Sequence, residues 1–271
     1  NAQGFSILGV THCTSNPYGA ACADVINRAY GNFDIPIGTL QKPGFLEDGQ
    51  RYNRPLAERY PHRFAGGAAA PDAAEVMRAA LKDQPDQSVV LIAVGPLTNA
   101  ASFIVQEVDR DLIRRKVIRL VAMAGCFSDK PGMPGVEWNV EMDVGAARFV
   151  VDNWPTPVDF SPFETGAPVM TGVHWHGMPE DHPVRRAYAL HSPNGRNSWD
   201  PATVWAAVMG DSEYFAFTPR GDVAMDSNGR TAFAENPDGR FRVLRLVGDP
   251  QEAGKLLDAW IAGANGAVPA F

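Results

Sequence analysis

The sequence predicts an α/β chain built on an open, mostly parallel, doubly wound sheet in a single domain. Three observations carry that expectation. Residues 88–94 (SVVLIAV) and 117–124 (VIRLVAMA) are continuous apolar runs, the pattern of strands buried on both faces. Segments of helical period stand between such runs, which is the alternation that strand–helix–strand crossovers require. No linker-like composition and no internal repeat divides the chain, so one domain over residues 1–271 is expected.

In order, residues 5–11 (FSILGVT) form a short β-branched run, read as a strand. Residues 19–30 carry small and apolar side chains at helical spacing and stop at Gly31. Residues 35–38 read as a second short strand. Residues 42–70 mix Pro, Gly, Arg and aromatics without period and read as a long surface excursion, a kind of segment that often serves function. A helix over 72–81 precedes the strand at 88–94. Gly95 and Pro96 punctuate it, and 100–108 continue as a helix. After the strand at 117–124 comes a Gly/Pro-rich loop to Gly135. Residues 136–143 read as a strand end that turns into a helix, and 157–160 as a short strand. A helix over 199–209, β-like pieces at 222–225, 229–233 and 241–246, and a last helix over 250–261 complete the chain.

Composition excludes several functions. About 45% of the 271 residues are apolar, ample for a core. The net charge is −7 with both signs interspersed, so no nucleic-acid partner is expected. No run approaches ~18 apolar residues, so no membrane span is expected. Cys13, Cys22 and Cys126 are too irregularly spaced for a disulfide framework or a zinc knuckle, and read as reduced thiols. The first residue is Asn1, and no targeting segment is visible, so the compartment, cytoplasmic or exported, is open. So is assembly with like copies. There is no G-x-G-x-x-G, P-loop or G-x-S-x-G element, which leaves dinucleotide, phosphoryl and serine-hydrolase chemistry without support.

The polar signal lies in VEWNVEMDVGAARFV, residues 136–150. Glu137, Asn139, Glu141 and Asp143 occupy alternate positions, which on a strand would share one face. Ligands of open parallel sheets sit at the carboxyl ends of strands. Asn16, residues 94–99, the Cys126 loop, Glu137 and Asn139 all follow predicted strands. Separate segments that bring polar groups to one edge make a pocket for a small molecule.

Here the sequence resembles a known family. GVTHCTSN, LIAVGPLTNAA, VAMAG and VEWNVEMDVGAARFV occur in the order and spacing of inosine-uridine-preferring nucleoside hydrolases, and SWDPATVWAAV is similar to their late helix start. The resemblance runs over roughly 5–263 and is weaker over 42–70 and 166–197. It implies a hydrolase that cleaves the N-glycosidic bond of a ribonucleoside or related glycoside with water. In such enzymes a calcium ion held by aspartates and a main-chain carbonyl grips the ribose and activates the water, and carboxylates stabilise an oxocarbenium-like transition state. Carried over by position, Asn16, Glu137 and Asn139 contact the sugar, while the carbonyl of Val94 and the carboxylate of Asp200 belong to the metal shell. Trp199 falls in the substrate-binding set as a stacking surface.

Two departures accompany the match. The family's DxDxxxDD cluster, which supplies the general base and most calcium ligands, has no equivalent here, so both it and a first strand are expected upstream of Asn1, and calcium is in question for the chain as it stands. The family's usual His before the late Asp is Trp199, which cannot donate a proton in that role. His191 is the candidate acid by proximity in sequence. A non-catalytic sugar- or nucleoside-binding relative without the metal is the alternative. Blander readings stand beside these. Glu137 and Asn139 read equally as a solvated strand end, Asp200 before Pro201 as a helix cap, His174 and His176 as loop residues, Cys126 as a packed thiol, and Asp48, Tyr52 and Asn53 as surface groups or a closing loop.

Overall fold

A computed structural model describes residues 4–47, 51–64 and 70–263. The chain runs β1 (Val10–His12), α1 (Gly19–Ala29), β2 (Ile37–Thr39), α2 (Asn53–Arg59) and α3 (Ala73–Lys82). Then come β3 (Val89–Ala93), α4 (Thr98–Ile104), α5 (Glu107–Lys116), β4 (Val117–Met123), α6 (Trp138–Met142) and α7 (Val144–Asn153). β5 (Val158–Ser161), α8 (Phe163–Gly166), β6 (Met170–Thr171), α9 (Pro183–His191), β7 (Arg196–Asn197) and α10 (Trp199–Met209) follow. The end is β8 (Phe215–Phe217), β9 (Gly221–Met225), β10 (Thr231–Glu235), β11 (Phe241–Leu246) and α11 (Pro250–Ile261).

These elements group into two compact units, one of Asn1–Ala80, Thr171–Arg196 and Asp258–Phe271, the other of Leu81–Met170 and Asn197–Leu257. The second holds a seven-stranded sheet of order β10-β9-β11-β5-β4-β3, with β8 on β11. β3, β4, β5 and β11 run parallel; β8, β9 and β10 add the antiparallel part. β4 pairs on both sides, and Leu120 to Met123 are all buried, as a continuous apolar strand should be. Asp159 lies under the sheet's middle, directly opposite Arg242, which donates to it through two nitrogens at 2.8 and 2.6 Å; Arg119 approaches at 3.1 Å. Two guanidinium groups match one buried carboxylate, the condition under which burying a charge is tolerated. α10 packs on β3, β4, β5 and α8.

In the first unit β1 and β2 form a two-stranded parallel pair, and α1 lies against both. Asp24 of α1 is fully buried and takes Arg28 Nε at 2.8 Å and Arg63 Nε and N at 2.7 and 2.8 Å. Asp258 is likewise buried and accepts from the amides of Gly172, Val173 and His174 at 2.6, 3.1 and 2.7 Å, tying down the loop that carries His174 and His176.

Several expectations are corrected. Residues 136–143 are not a strand end: Glu137 opens a helix, so its alternation with Asn139 is not a strand face. The run 5–11 is regular only at Val10–His12. The excursion over 42–70 contains α2, and α5, α9 and β8 were not anticipated. β3 pairs with β4 alone among the described residues, and each of its residues is half-buried.

Candidate functional site

The sheet's carboxyl edge is built from the ends of β3, β4 and β5. β4 runs on through Ala124 into Gly125, whose φ of +81° suits only glycine without strain. The loop is held there by Phe163 N–H to the Gly125 carbonyl at 2.9 Å, Cys126 N–H to Thr231 Oγ1 at 3.0 Å, Thr231 Oγ1–H to the Cys126 carbonyl at 2.7 Å, and Phe127 N–H to Glu164 at 3.0 Å. Gly125 N–H donates to Glu137 Oε2 at 3.3 Å.

Glu137 is buried at 3% exposure, as the N-cap of α6, and also accepts from the amides of Asn139 at 2.8 Å and Val140 at 3.3 Å. Burial pushes its carboxyl up to about 7; the three amides pull it down, and the charge of Asp200 adds to the rise. A carboxylate offers about four acceptor positions. Three are taken, so one remains for a ligand hydroxyl. Asn139, also buried, donates through Nδ2 to the Met123 carbonyl at 2.9 Å, and its Oδ1 has no hydrogen-bond partner among the described residues. Meanwhile Trp138 between them is 53% exposed. A five-residue helix that turns an acid and an amide inward and an indole outward is not arranged for packing alone.

Asp200 reaches the same edge by a different route. Arg119, early in β4, donates to the carbonyl of Ala207, late in α10, at 3.0 Å. α10 therefore runs against the strand direction, and its first turn, with the exposed Asp200, lies at the carboxyl ends. The electrostatic effect of Asp200 on Glu137 agrees with this placement. Ser198, not Asp200, holds the N-cap position, which corrects the capping reading. Val94 directly follows β3, and the residue before it, Ala93, pairs with Ala122, so its carbonyl is at this edge too. Trp199 is committed to packing. Its Nε1 donates to the Phe163 carbonyl at 2.9 Å, its ring lies 5.3 Å from Phe163, and its backbone passes Gly166 so closely that a Cβ there would stand 2.5 Å from its Cα.

Asn16, Tyr52, Asn53 and His191 lie in the other unit. Asn16 is 4% exposed; its Oδ1 accepts from Tyr18 N–H at 2.9 Å, and its Nδ2 is buried with no hydrogen-bond partner among the described residues. An orphaned buried donor is uncommon and marks a group that awaits a ligand or water. His191 ends α9 beside Tyr52, ring to ring 5.8 Å. Burial, with Arg196 and Arg51 nearby, lowers its pKa, which disfavours the protonated form. Asn53 begins α2; Asp48 lies outside the described residues. Cys126 is buried, and burial raises its thiol pKa, as expected of a packed side chain rather than a nucleophile.

A metal fits only in part. Val94 and Asp200 offer two oxygen donors where calcium takes ~6–8. Among the described residues no group of three or more His, Cys, Asp or Glu side chains is placed to hold an ion. The described residues do not make a complete calcium shell.

Sequence reasoning missed Gly125, Thr231 and Glu164, which fix the loop after β4. Only the glycine gave a signal, closing the apolar run at AMAG.

The family model of inosine-uridine preferring nucleoside hydrolase matches residues 4–248. The chain belongs to that family. No curated protein sequence matches this nucleoside hydrolase family member significantly. Solved structures share its fold at low identity. An inosine-uridine preferring nucleoside hydrolase from Bacillus anthracis is 18% identical with a TM-score of 0.70, over 96% of this chain and 91% of the other. The plant nucleoside hydrolase PpNRh1 is 18% identical with a TM-score of 0.64, over 95% and 99%. The type III effector protein XopQ, solved with adenosine diphosphate ribose, is 17% identical with a TM-score of 0.65, over 97% and 85%. Members of the family generally use a divalent metal, often calcium. No helix among the described residues is long and apolar enough to cross a membrane.

Proposed function

We propose that this family member acts on the N-glycosidic bond of a ribonucleoside or related glycoside, and that Glu137 and Asn139 grip the sugar. The observation that supports this reading is the pair of unspent acceptors at the sheet's carboxyl edge, one position on Glu137 and Oδ1 of Asn139, both on buried and rigidly held side chains. Sugar hydroxyls are donors, and acceptors already locked by backbone bonds lose little freedom on binding one. Glu137 and Asp200 also place negative charge where an oxocarbenium-like transition state would develop positive charge, which favours that state over the neutral sugar. Asn16, with its orphaned Nδ2, is proposed as a donor to a sugar hydroxyl, and the Val94 carbonyl and Asp200 as calcium ligands. No step is assigned to the metal, because the described donors do not complete its shell.

A second reading is a sugar- or nucleoside-binding relative that does not catalyse; the effector XopQ, of the same fold, was solved complexed with adenosine diphosphate ribose. The adenosine diphosphate ribose in the effector structure makes that compound a reasonable ligand to test alongside inosine and uridine. Hydrolysis of inosine, uridine and a nitrophenyl riboside, with and without Ca²⁺, separates the two. Turnover that needs Ca²⁺ and falls at least ~10-fold in Glu137→Ala supports the hydrolase, the loss equal to one hydrogen bond to a charged group. Saturable binding of the same compounds with no turnover supports the binding protein. Neither turnover nor binding would remove both.

A further inference from the structure

The first unit carries a cleft that the sugar site does not use. Its volume is about 460 Å³, within the range of small-molecule sites, and its walls include Phe33, Tyr60, Pro61, Pro183, Arg28 and His182. The surfaces are largely apolar: the rings of Phe33 and Tyr60 and three prolines, Pro61, Pro179 and Pro183, with Phe33 52% exposed and so available to a ligand. His182 adds a third ring. Its Nδ1 accepts from Val184 N–H at 3.3 Å, its other nitrogen serves the Ala29 carbonyl, and it meets Tyr30 edge-on at 5.4 Å. With both nitrogens committed, it is a wall rather than a donor.

The polar group in this wall is Arg28. Its Nε is fixed on Asp24 at 2.8 Å, and its guanidinium lies 5.6 Å from the Phe33 ring centre. Its two terminal amino groups have no hydrogen-bond partner among the described residues. Asp24 also neutralises Arg63, so two guanidinium charges share one buried carboxylate and the cluster keeps an excess positive charge. Asp181 also lines the cleft, and its negative charge disfavours a ligand of high negative charge.

We propose that this cleft is a second binding site, for a planar aromatic monoanion whose ring rests on Phe33, Tyr60 and the prolines and whose carboxylate meets the terminal amino groups of Arg28. A rigid fork pre-aimed by Asp24 suits a planar carboxylate, and a ring over aromatic and proline faces supplies the apolar contact.

The test is a fluorescence or NMR titration of the full chain with 1-naphthoate, with 1-naphthalenemethanol as the uncharged probe of the same ring. Saturable binding is expected, with the carboxylate on the order of tenfold tighter than the alcohol, as for one hydrogen bond to a charged group. Phe33→Ala, an exposed position safe for folding, should weaken both probes, and Arg28→Gln should erase the preference between them. Arg28 also pairs with a buried acid, so if that variant fails to fold, Phe33→Ala and the probe comparison decide. Non-saturable binding, equal affinity for the two probes, or full affinity in Phe33→Ala would overturn the proposal. So would loss of naphthoate binding in Glu137→Ala, since that would put the probe in the sugar site.

Discussion

Glu137 carries two opposed demands at one carboxyl group. Burial favours the proton, while three amides favour the charge, and the balance stands at about 7. Between its ordinary value of 4.5 and that figure, the folded chain holds a proton that the unfolded chain has released. Stability therefore falls as pH rises across that window, by about 3 kcal/mol for a shift of this size, and the loss is complete above it. Glu137→Gln should flatten this dependence. Urea denaturation at pH 5 and pH 8 checks it: an equal fall in both proteins would show that Glu137 is not its source. Asn139→Leu removes the donor to the buried Met123 carbonyl and should cost ~1–3 kcal/mol at any pH. Trp199→Phe keeps the contact with Phe163 but leaves its carbonyl with the Ala167 N–H at 3.1 Å as partner. It should lower stability by about 1 kcal/mol, the net worth of one hydrogen bond, and leave turnover of a nitrophenyl riboside intact, because an indole N–H does not titrate in the working range. Abolished turnover in that variant would refute the packing role.

At the level of elements, the sheet was legible and the site's local structure was not. Apolar runs alone placed β3 and β4, and α10 and α11 match their expected limits at both ends, because apolar residues recur there at helical spacing with Pro inside the start. The 136–143 segment failed for a physical reason. Its polar residues fall at every second position, the strand period, but Glu137 and Asp143 are caps of two successive short helices, each accepting from amides two or three residues on. Capping sets its own spacing, and it overrides the periodicity of so short an element. α5 was missed because only Asp109, Leu112 and Ile113 are buried on it; charge complementarity with its dipole, acids first and bases last, does the rest. α8 and α10 meet where Gly166 touches the Trp199 backbone. Backbone cannot yield as a flexible side chain can, so Gly166→Ala should cost ~3 kcal/mol or more. A melting temperature within a degree of the parent would show that the helices part more easily than this.

At the scale of the whole chain, the seven-stranded sheet ends on an apolar strand, VVLIA, with a neighbour on one side only among the described residues. An edge strand usually carries charge or proline against unwanted pairing, and β3 has neither. Its amides should therefore alternate in hydrogen exchange, slow where they face β4 and fast where they face away, whereas Leu120 to Met123 of β4 should all be slow. Uniform protection of β3 would mean that another strand pairs with it. The central claim concerns the acceptors at the opposite end of β4. Calorimetric titration of the full chain and of Glu137→Ala and Asn139→Leu with inosine, uridine and adenosine diphosphate ribose tests it most directly. The account predicts that at least one ribose compound binds the parent and that each substitution weakens it by ~1–3 kcal/mol. Binding of unchanged strength in both variants would contradict it.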